Sequence, residues 1–247
     1  MKLIDNLKGF TKRLNIFVGA YGSGKTEICV NIASRLAMEG KIVNLADLDI
    51  ANPYFRSREV QNYLRQNGVN PVVPGGDVQF SDLPVILPQI SGMLKPSGED
   101  YSIFDVGGDT TGAKVLASIK DGINGDDYNL FQVVNTNRPF TSTVEGCIKM
   151  QQMLQDTSGL KVSGFIFNSH LMDFTDENVI IDALEIATQL VNITNIEITY
   201  FSLMETLMNI DKIVQHINYP LLLLQRKMLP PWLIQNSEKS WPIMGNR

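Results

Sequence analysis

The chain has 247 residues, of which 44% are hydrophobic and 19% charged, enough apolar material to bury a sizeable core. A net charge of -5 and a pI near 5.1 argue against a broad nucleic-acid-binding surface. Two cysteines, Cys29 and Cys147, are too few for a disulfide framework or a metal knuckle, and they fit a reducing, cytoplasmic location.

Residues 1–15 carry basic residues and scattered apolar ones, without the continuous apolar core and small-residue cleavage site of a signal peptide. They are expected to pack beside the first strand. No stretch approaches the ~18 consecutive apolar residues of a membrane span, so membrane contact is not expected.

The apolar run Leu14-Asn-Ile-Phe-Val18 reads as a strand and leads directly into Gly19-Ala-Tyr-Gly-Ser-Gly-Lys-Thr26. That stretch fits G-x-x-x-x-G-K-[ST] between a strand and a helix, the setting a phosphate-binding loop needs. Its glycines let successive backbone N–H groups turn inward as a nest for phosphate oxygens. Candidate nucleotide contacts are therefore Gly19, Tyr21, Gly22, Ser23, Gly24, Lys25, Thr26 and Glu27. Lys25 supplies a full charge near the β- and γ-phosphates, and the Thr26 hydroxyl takes one position on Mg²⁺. The following helix, Lys25 to Met38, points its positive dipole end at the same anion and ends at Gly40.

Lys41 to Ala46 reads as a buried strand running into Asp47-Leu-Asp49. Carboxylates at a strand's carboxyl end lie beside the crevice where ligands bind in open α/β sheets. Asp49 there suits holding a Mg²⁺-bound water or orienting an attacking water; capping the next segment is the alternative. Asn52-Pro53 makes 50–55 a loop, with Arg56 and Arg58 beyond it. Glu59 to Gln66 reads as a short helix. The proline-rich stretch 69–98, with Gly75-Gly76, reads as an elaborated connection with a broken helix over 82–94.

Tyr101-Ser-Ile-Phe-Asp-Val-Gly-Gly-Asp109 is the second strong feature. Apolar residues lead to Asp105 at a strand end, suited to serving Mg²⁺, and Gly107 and Gly108 let backbone approach a γ-phosphate. A helix over Thr111–Ile119, a strand over Tyr128–Asn135 and a helix over Val144–Gln155 capped by Thr141 or Ser142 follow. Next come strands at 161–168 and 196–202, an amphipathic helix at 176–190, a helix at 204–217 and a short strand at 221–224. His170 and His216 read as capping or surface residues.

This alternation predicts an α/β fold: a doubly wound, mainly parallel sheet with helices on both faces, a three-layer sandwich. It reads as one domain over 1–247 with an irregular tail from about 227, where Trp232 and Trp241 offer packing groups. A guanine-selective site in this architecture commonly reads Asn-Lys-x-Asp at a late strand end. The candidates here, Asn168-Ser-His-Leu171 and Asn135-Thr-Asn-Arg138, both lack the Lys and the Asp, which favours ATP, with Asn168 able to hydrogen-bond adenine.

The loop at 19–26, the 47–49 strand end, Asp105-Val-Gly-Gly108 and the Asn168 strand end occur in the order seen in MinD/ParA-like proteins, and the resemblance covers most of 13–225. These belong to the SIMIBI class of P-loop NTPases, which includes metal-centre insertion ATPases and CobQ/CobB-type ligases. The resemblance implies a Mg²⁺-dependent ATPase with Lys25 and Asp49 catalytic, Thr26, Asp49 and Asp105 serving the metal, and Gly108 sensing the γ-phosphate. Ala20 stands where such proteins commonly carry a second loop lysine that reaches a dimer partner's nucleotide. Homodimerisation is thus left open, with Arg56 or Arg138 as substitutes. The function expected is a nucleotide switch acting on a protein partner, in metallocentre or redox-enzyme assembly; an ATP-dependent small-molecule kinase or ligase is the alternative.

Overall fold

The computed structural model of the protein describes residues 7, 9–49, 58–72, 88–96, 98 and 100–227. The loop at 50–55, Arg56, the Arg58 side chain, the 73–87 stretch and the tail with Trp232 and Trp241 lie outside the described residues.

Among the described residues eight strands form one all-parallel sheet: β1 (Leu14–Gly19), β2 (Ile42–Leu48), β3 (Val69–Val72), β4 (Asp100–Val106), β5 (Tyr128–Val134), β6 (Gly164–Phe167), β7 (Ile198–Met204) and β8 (Leu221–Leu224). Their spatial order is β3-β2-β4-β1-β5-β6-β7-β8. The chain therefore builds outward through β2 to β3, returns with β4 beside β1, and then builds outward the other way. The reversal falls at β1 and β4, so the crevice outside their carboxyl ends is where this topology opens a ligand site.

Strand alternation sorts the core into two layers. Leu14, Ile16 and Val18 of β1 face a core shared with α4 (Thr110–Ile119), α5 (Val144–Ser158) and α6 (Glu177–Thr194). Phe17 faces the other core, with α1 (Lys25–Met38) and α2 (Arg58–Gln66). Leu7 and Phe10 belong to this second core; the Phe10 ring stacks on Tyr200 with centroids 5.5 Å apart. Leu7 and Phe10 are thus packed beside the sheet.

Several boundaries differ from the sequence reading for identifiable reasons. Val69–Val72 is a strand despite Pro71, because β3 is the sheet edge, where a missing N–H costs no ladder bond. In the elaborated stretch the described helix is short, α3 (Pro88–Met93). The cap of α5 is Thr143, whose hydroxyl accepts from Gly146 N at 3.1 Å, not Thr141 or Ser142. Thr141 instead donates to Asn135 O at 2.7 Å. β7 runs on to Met204, and the expected 204–217 helix shrinks to α7 (Ile210–Ile213) and a 3-10 turn over 214–216.

Candidate functional site

The loop after β1 turns through two left-handed glycines, Gly22 at φ +72° and Gly24 at φ +86°. Gly24 is also the N-cap of α1, and a Cβ there would lie 2.2 Å from Asn168 Nδ2. Only glycine meets both the angle and the space. Ser23 N donates to Ala20 O at 3.0 Å, tightening the turn, and Ala20 is buried against the core. Lys25, only 5% exposed, lies with its Nζ 3.4 Å from Asp49 Oδ2.

Asp47 and Asp105 stand opposite each other in the β2–β4 register, so both strand ends deliver carboxylates to one spot. Asp49 N donates to Asp47 Oδ1 at 3.0 Å, which turns the chain as it leaves β2. Thr26 Oγ1 donates to Asp105 Oδ2 at 2.5 Å. The other oxygen, Asp105 Oδ1, is buried and has no hydrogen-bond partner among the described residues. Burial pushes the Asp105 carboxyl up to about 6, against the opposing pull of Lys25 and the Thr26 hydroxyl. A buried, orphaned carboxylate oxygen beside a threonine hydroxyl is a donor set for a hard cation, and fits Mg²⁺. Among the described residues no group of three or more His, Cys, Asp or Glu could hold a metal. A cation here would rely on hydroxyl, carboxylate, water and phosphate oxygens.

The β4 exit packs against the loop's root. A Cβ on Gly108 would fall 2.2 Å from the Gly19 carbonyl carbon, and one on Gly112 would fall 1.9 Å from Gly107 O. A Cβ on Gly107 would lie 3.4 Å from Asp49 Oδ1. The backbone of 107–108 is therefore wedged between the loop and the 47–49 strand end. Asp109 closes the turn by accepting from Gly112 N at 2.8 Å as the cap of α4.

The opposite wall comes from the β5 and β6 exits. Asn168 Nδ2 donates to Ser23 O at 2.8 Å, and Ser202 Oγ on β7 donates to Asn168 Oδ1 at 2.8 Å. Offered to a base by the sequence, this amide binds the loop. Arg138 Nε donates to Gly22 O at 2.9 Å. His170 lies half-buried beside Gly24 rather than on the surface, and burial, with Arg138 and Arg226 adding to it, pushes its imidazole down to about 4. His216 sits on the 3-10 turn, its Nε2 3.2 Å from Glu177 Oε1.

Glu27 turns its carboxylate to the chain beyond β8, accepting from Lys227 N at 2.6 Å and from Asn31 Nδ2 at 3.1 Å. Asn31 pairs with the Gln225 backbone like a strand neighbour, donating to its O and accepting from its N, each at 2.9 Å. Arg35 donates to Leu223 O. The outer face of α1 is thus stitched to 223–227. Tyr21, 76% exposed, stands at the loop's lip. Cys29 is fully buried and its thiol is pushed well up by burial, with Asp105 adding to the shift, so it is an inert core group.

The tertiary structure brings the 19–26 loop, Asp49, Asp105, Gly107, Gly108 and Asn168 together within one crevice. Sequence reasoning passed over Ser202, Asn31 and Gln225, whose contacts are long-range and leave no local pattern.

An eight-stranded, all-parallel sheet flanked by helices, with this loop at the carboxyl end of β1, is an α/β fold of the P-loop NTPase type. Among solved structures it is similar to the cell division protein FtsY of Thermotoga maritima, with TM-score 0.50 and 20% identity over 78% of this chain. It is also similar to the signal recognition particle receptor FtsY of Elizabethkingia anophelis, with TM-score 0.50 and 14% identity over 83% of this chain. The same receptor in complex with GDP gives TM-score 0.51 and 15% identity over 77% of this chain. The chain spans 62%, 65% and 57% of those three chains. No protein-family model matches the sequence, and no curated protein does.

Proposed function

We propose that this protein is a Mg²⁺-dependent nucleoside triphosphatase of the SIMIBI class, of MinD/ParA-like type, that prefers ATP and acts as a nucleotide switch on a protein partner. The observation that carries the reading is the junction of Thr26 Oγ1 with Asp105 Oδ2, leaving Asp105 Oδ1 orphaned at the mouth of the glycine loop. In this reading the loop amides and Lys25 hold the phosphates, Thr26 and Asp105 serve the cation, and Asp49 orients the attacking water. When bound, Mg²⁺ supplies charge neutralisation for the phosphate oxygens.

The Lys25–Asp49 pair gives the switch a physical basis. A phosphate that draws Lys25 Nζ loosens its hold on Asp49, just past the end of β2. Ala20 in place of a second loop lysine means that a dimer partner's nucleotide would have to be reached by another cation.

The preference for ATP rests on Leu171, which stands where a guanine-selective site places its carboxylate. The similar receptor was solved with GDP, so the base is the first thing to test. Competition binding with Mg-ATP and Mg-GTP, followed by phosphate release, is the experiment. Tighter ATP binding, with release abolished in Lys25→Ala, is expected. Preference for GTP would overturn the base assignment, and absence of nucleotide binding would overturn the function. A small compound phosphorylated without a protein partner would replace the switch by a kinase. Partner capture that depends on a non-hydrolysable ATP analogue tests the switch itself.

A further inference from the structure

The loop's outward carbonyls are gripped in succession by two side chains from different strand exits. Arg138 Nε holds Gly22 O at 2.9 Å, and Asn168 Nδ2 holds Ser23 O at 2.8 Å. In a planar peptide unit the carbonyl of one residue and the N–H of the next point in opposite directions. Holding the carbonyls of Gly22 and Ser23 outward therefore turns both following amides away from the grip: Ser23 N into the turn, where it donates to Ala20 O at 3.0 Å and fixes the loop's curl, and Gly24 N toward the inside of the loop.

Gly22 needs such a grip more than other positions do. At φ +72° it has no Cβ to restrict it, so a Gly-Ser-Gly run left alone samples many conformations. The guanidinium lies close against it: a Cβ on Gly22 would meet Arg138 Nε at 2.9 Å and Cζ at 3.0 Å. Arg138 is itself fixed, its N donating to Asn135 O at 3.1 Å and its O accepting from Thr141 N at 3.0 Å. The two gripping loops are also latched together, since Asn135 Nδ2 donates to His170 O at 3.2 Å and Thr136 N to Ser169 Oγ at 3.1 Å. Among the described residues no carboxylate pairs with Arg138.

We propose that Arg138 is a positioning residue for the phosphate-binding loop, acting through the hydrogen bond from Nε to the Gly22 carbonyl. It holds the loop in the form that receives phosphate. This inference rests on the nucleotide-binding reading above and assigns to one side chain the preorganisation of the nest.

Two substitutions separate the hydrogen bond from the charge. Arg138→Gln carries an amide nitrogen at the same distance along the side chain as Arg Nε but has no charge. Arg138→Lys keeps the charge but puts a methylene at that point. Arg138→Ala removes both. Arg138→Ala and Arg138→Lys should weaken Mg-ADP and a Mg-bound non-hydrolysable ATP analogue by the same factor, about tenfold, and Arg138→Gln should restore most of it. In the nucleotide-free protein, amide hydrogen exchange over residues 20–25 should be faster in the Ala and Lys variants and near wild type in the Gln variant.

Rescue by Lys and not by Gln would overturn the proposal in favour of a charge acting on phosphate. So would a loss confined to the triphosphate analogue, or unchanged exchange in Arg138→Ala. Absence of nucleotide binding by the wild type would defeat the proposed function, while the exchange comparison would still decide the role of Arg138.

Discussion

Thr26 Oγ1 donates to Asp105 Oδ2 at 2.5 Å, joining the first turn of α1 to the end of β4 across 79 residues of chain. The contact exists because β1 and β4 are neighbours in the sheet, with Phe17 opposite Asp105. It leaves one buried carboxylate oxygen without a partner among the described residues, a cost that a bound cation would offset.

Thr26→Ala should therefore lower affinity for Mg-nucleotide by about 10- to 100-fold, the worth of one bond to a charged group. Thr26→Ser, which keeps the hydroxyl, should stay near wild type. Titrations with and without Mg²⁺ check this. The Ala variant should lose most of the Mg²⁺-dependent gain in affinity; a gain equal to wild type would remove Thr26 from the cation's surroundings.

Lys25 and Asp49 form a buried pair, side chains 6% and 10% exposed, and should be energetically coupled without any nucleotide. A double-mutant cycle of Lys25→Ala and Asp49→Ala, read by denaturant unfolding, should give about 1–3 kcal/mol of coupling. With nucleotide, the variants should part company. Lys25→Ala should lose binding, and Asp49→Ala should bind yet release no phosphate. Strictly additive stabilities would mean the pair is not a functional contact.

Gly108→Ala should be costly although its φ is not left-handed. The new methyl would sit 2.2 Å from the carbonyl carbon of Gly19, and backbone cannot turn aside as a side chain does. A loss of about 2–3 kcal/mol is expected. Gly125→Asn, at φ +54° with nothing within 4 Å of a built Cβ, should lose much less and serves as the control.

His170 sets a pH dependence whose sign is definite. Its folded value, about 4, lies below the ordinary 6.5, so between these limits the unfolded chain binds more protons at this residue. Stability from this group is complete above pH ~6.5 and is lost as pH falls toward ~4, with a ceiling of roughly 3 kcal/mol. Unfolding at pH 7 and pH 4.5 should show a smaller drop for His170→Gln than for wild type. Equal drops would assign the acid sensitivity to other groups.

Much of the site is legible in the sequence because its chemistry is encoded in contiguous residues. The glycine spacing of 19–26 is dictated by backbone angles, and Asp105-Val-Gly-Gly108 by a strand end that backbone must approach closely. The early segments are legible for the same reason: their apolar periods are long and uninterrupted. β3 is not, because Pro71 reads as a break unless one knows the strand lies at a sheet edge. The helix expected over 204–217 fails for a different reason: β7 continues through Met204 in pairing with β8, the chain then turns with Leu207 N bonded to Met204 O, and Asn209 adopts a left-handed φ of +59° that no helix interior allows.

From sequence alone came the phosphate loop, the two acidic strand ends and the alternating α/β order, since each is a local pattern with a local physical cause. Only the tertiary structure decided that Asn168 grips Ser23, that Arg138 grips Gly22, that Asn31 pairs with the Gln225 backbone and that His170 is sheltered beside Gly24. Those contacts join side chains to distant backbone across sheet neighbours. Strand order creates them, and strand order leaves no periodic mark in the sequence.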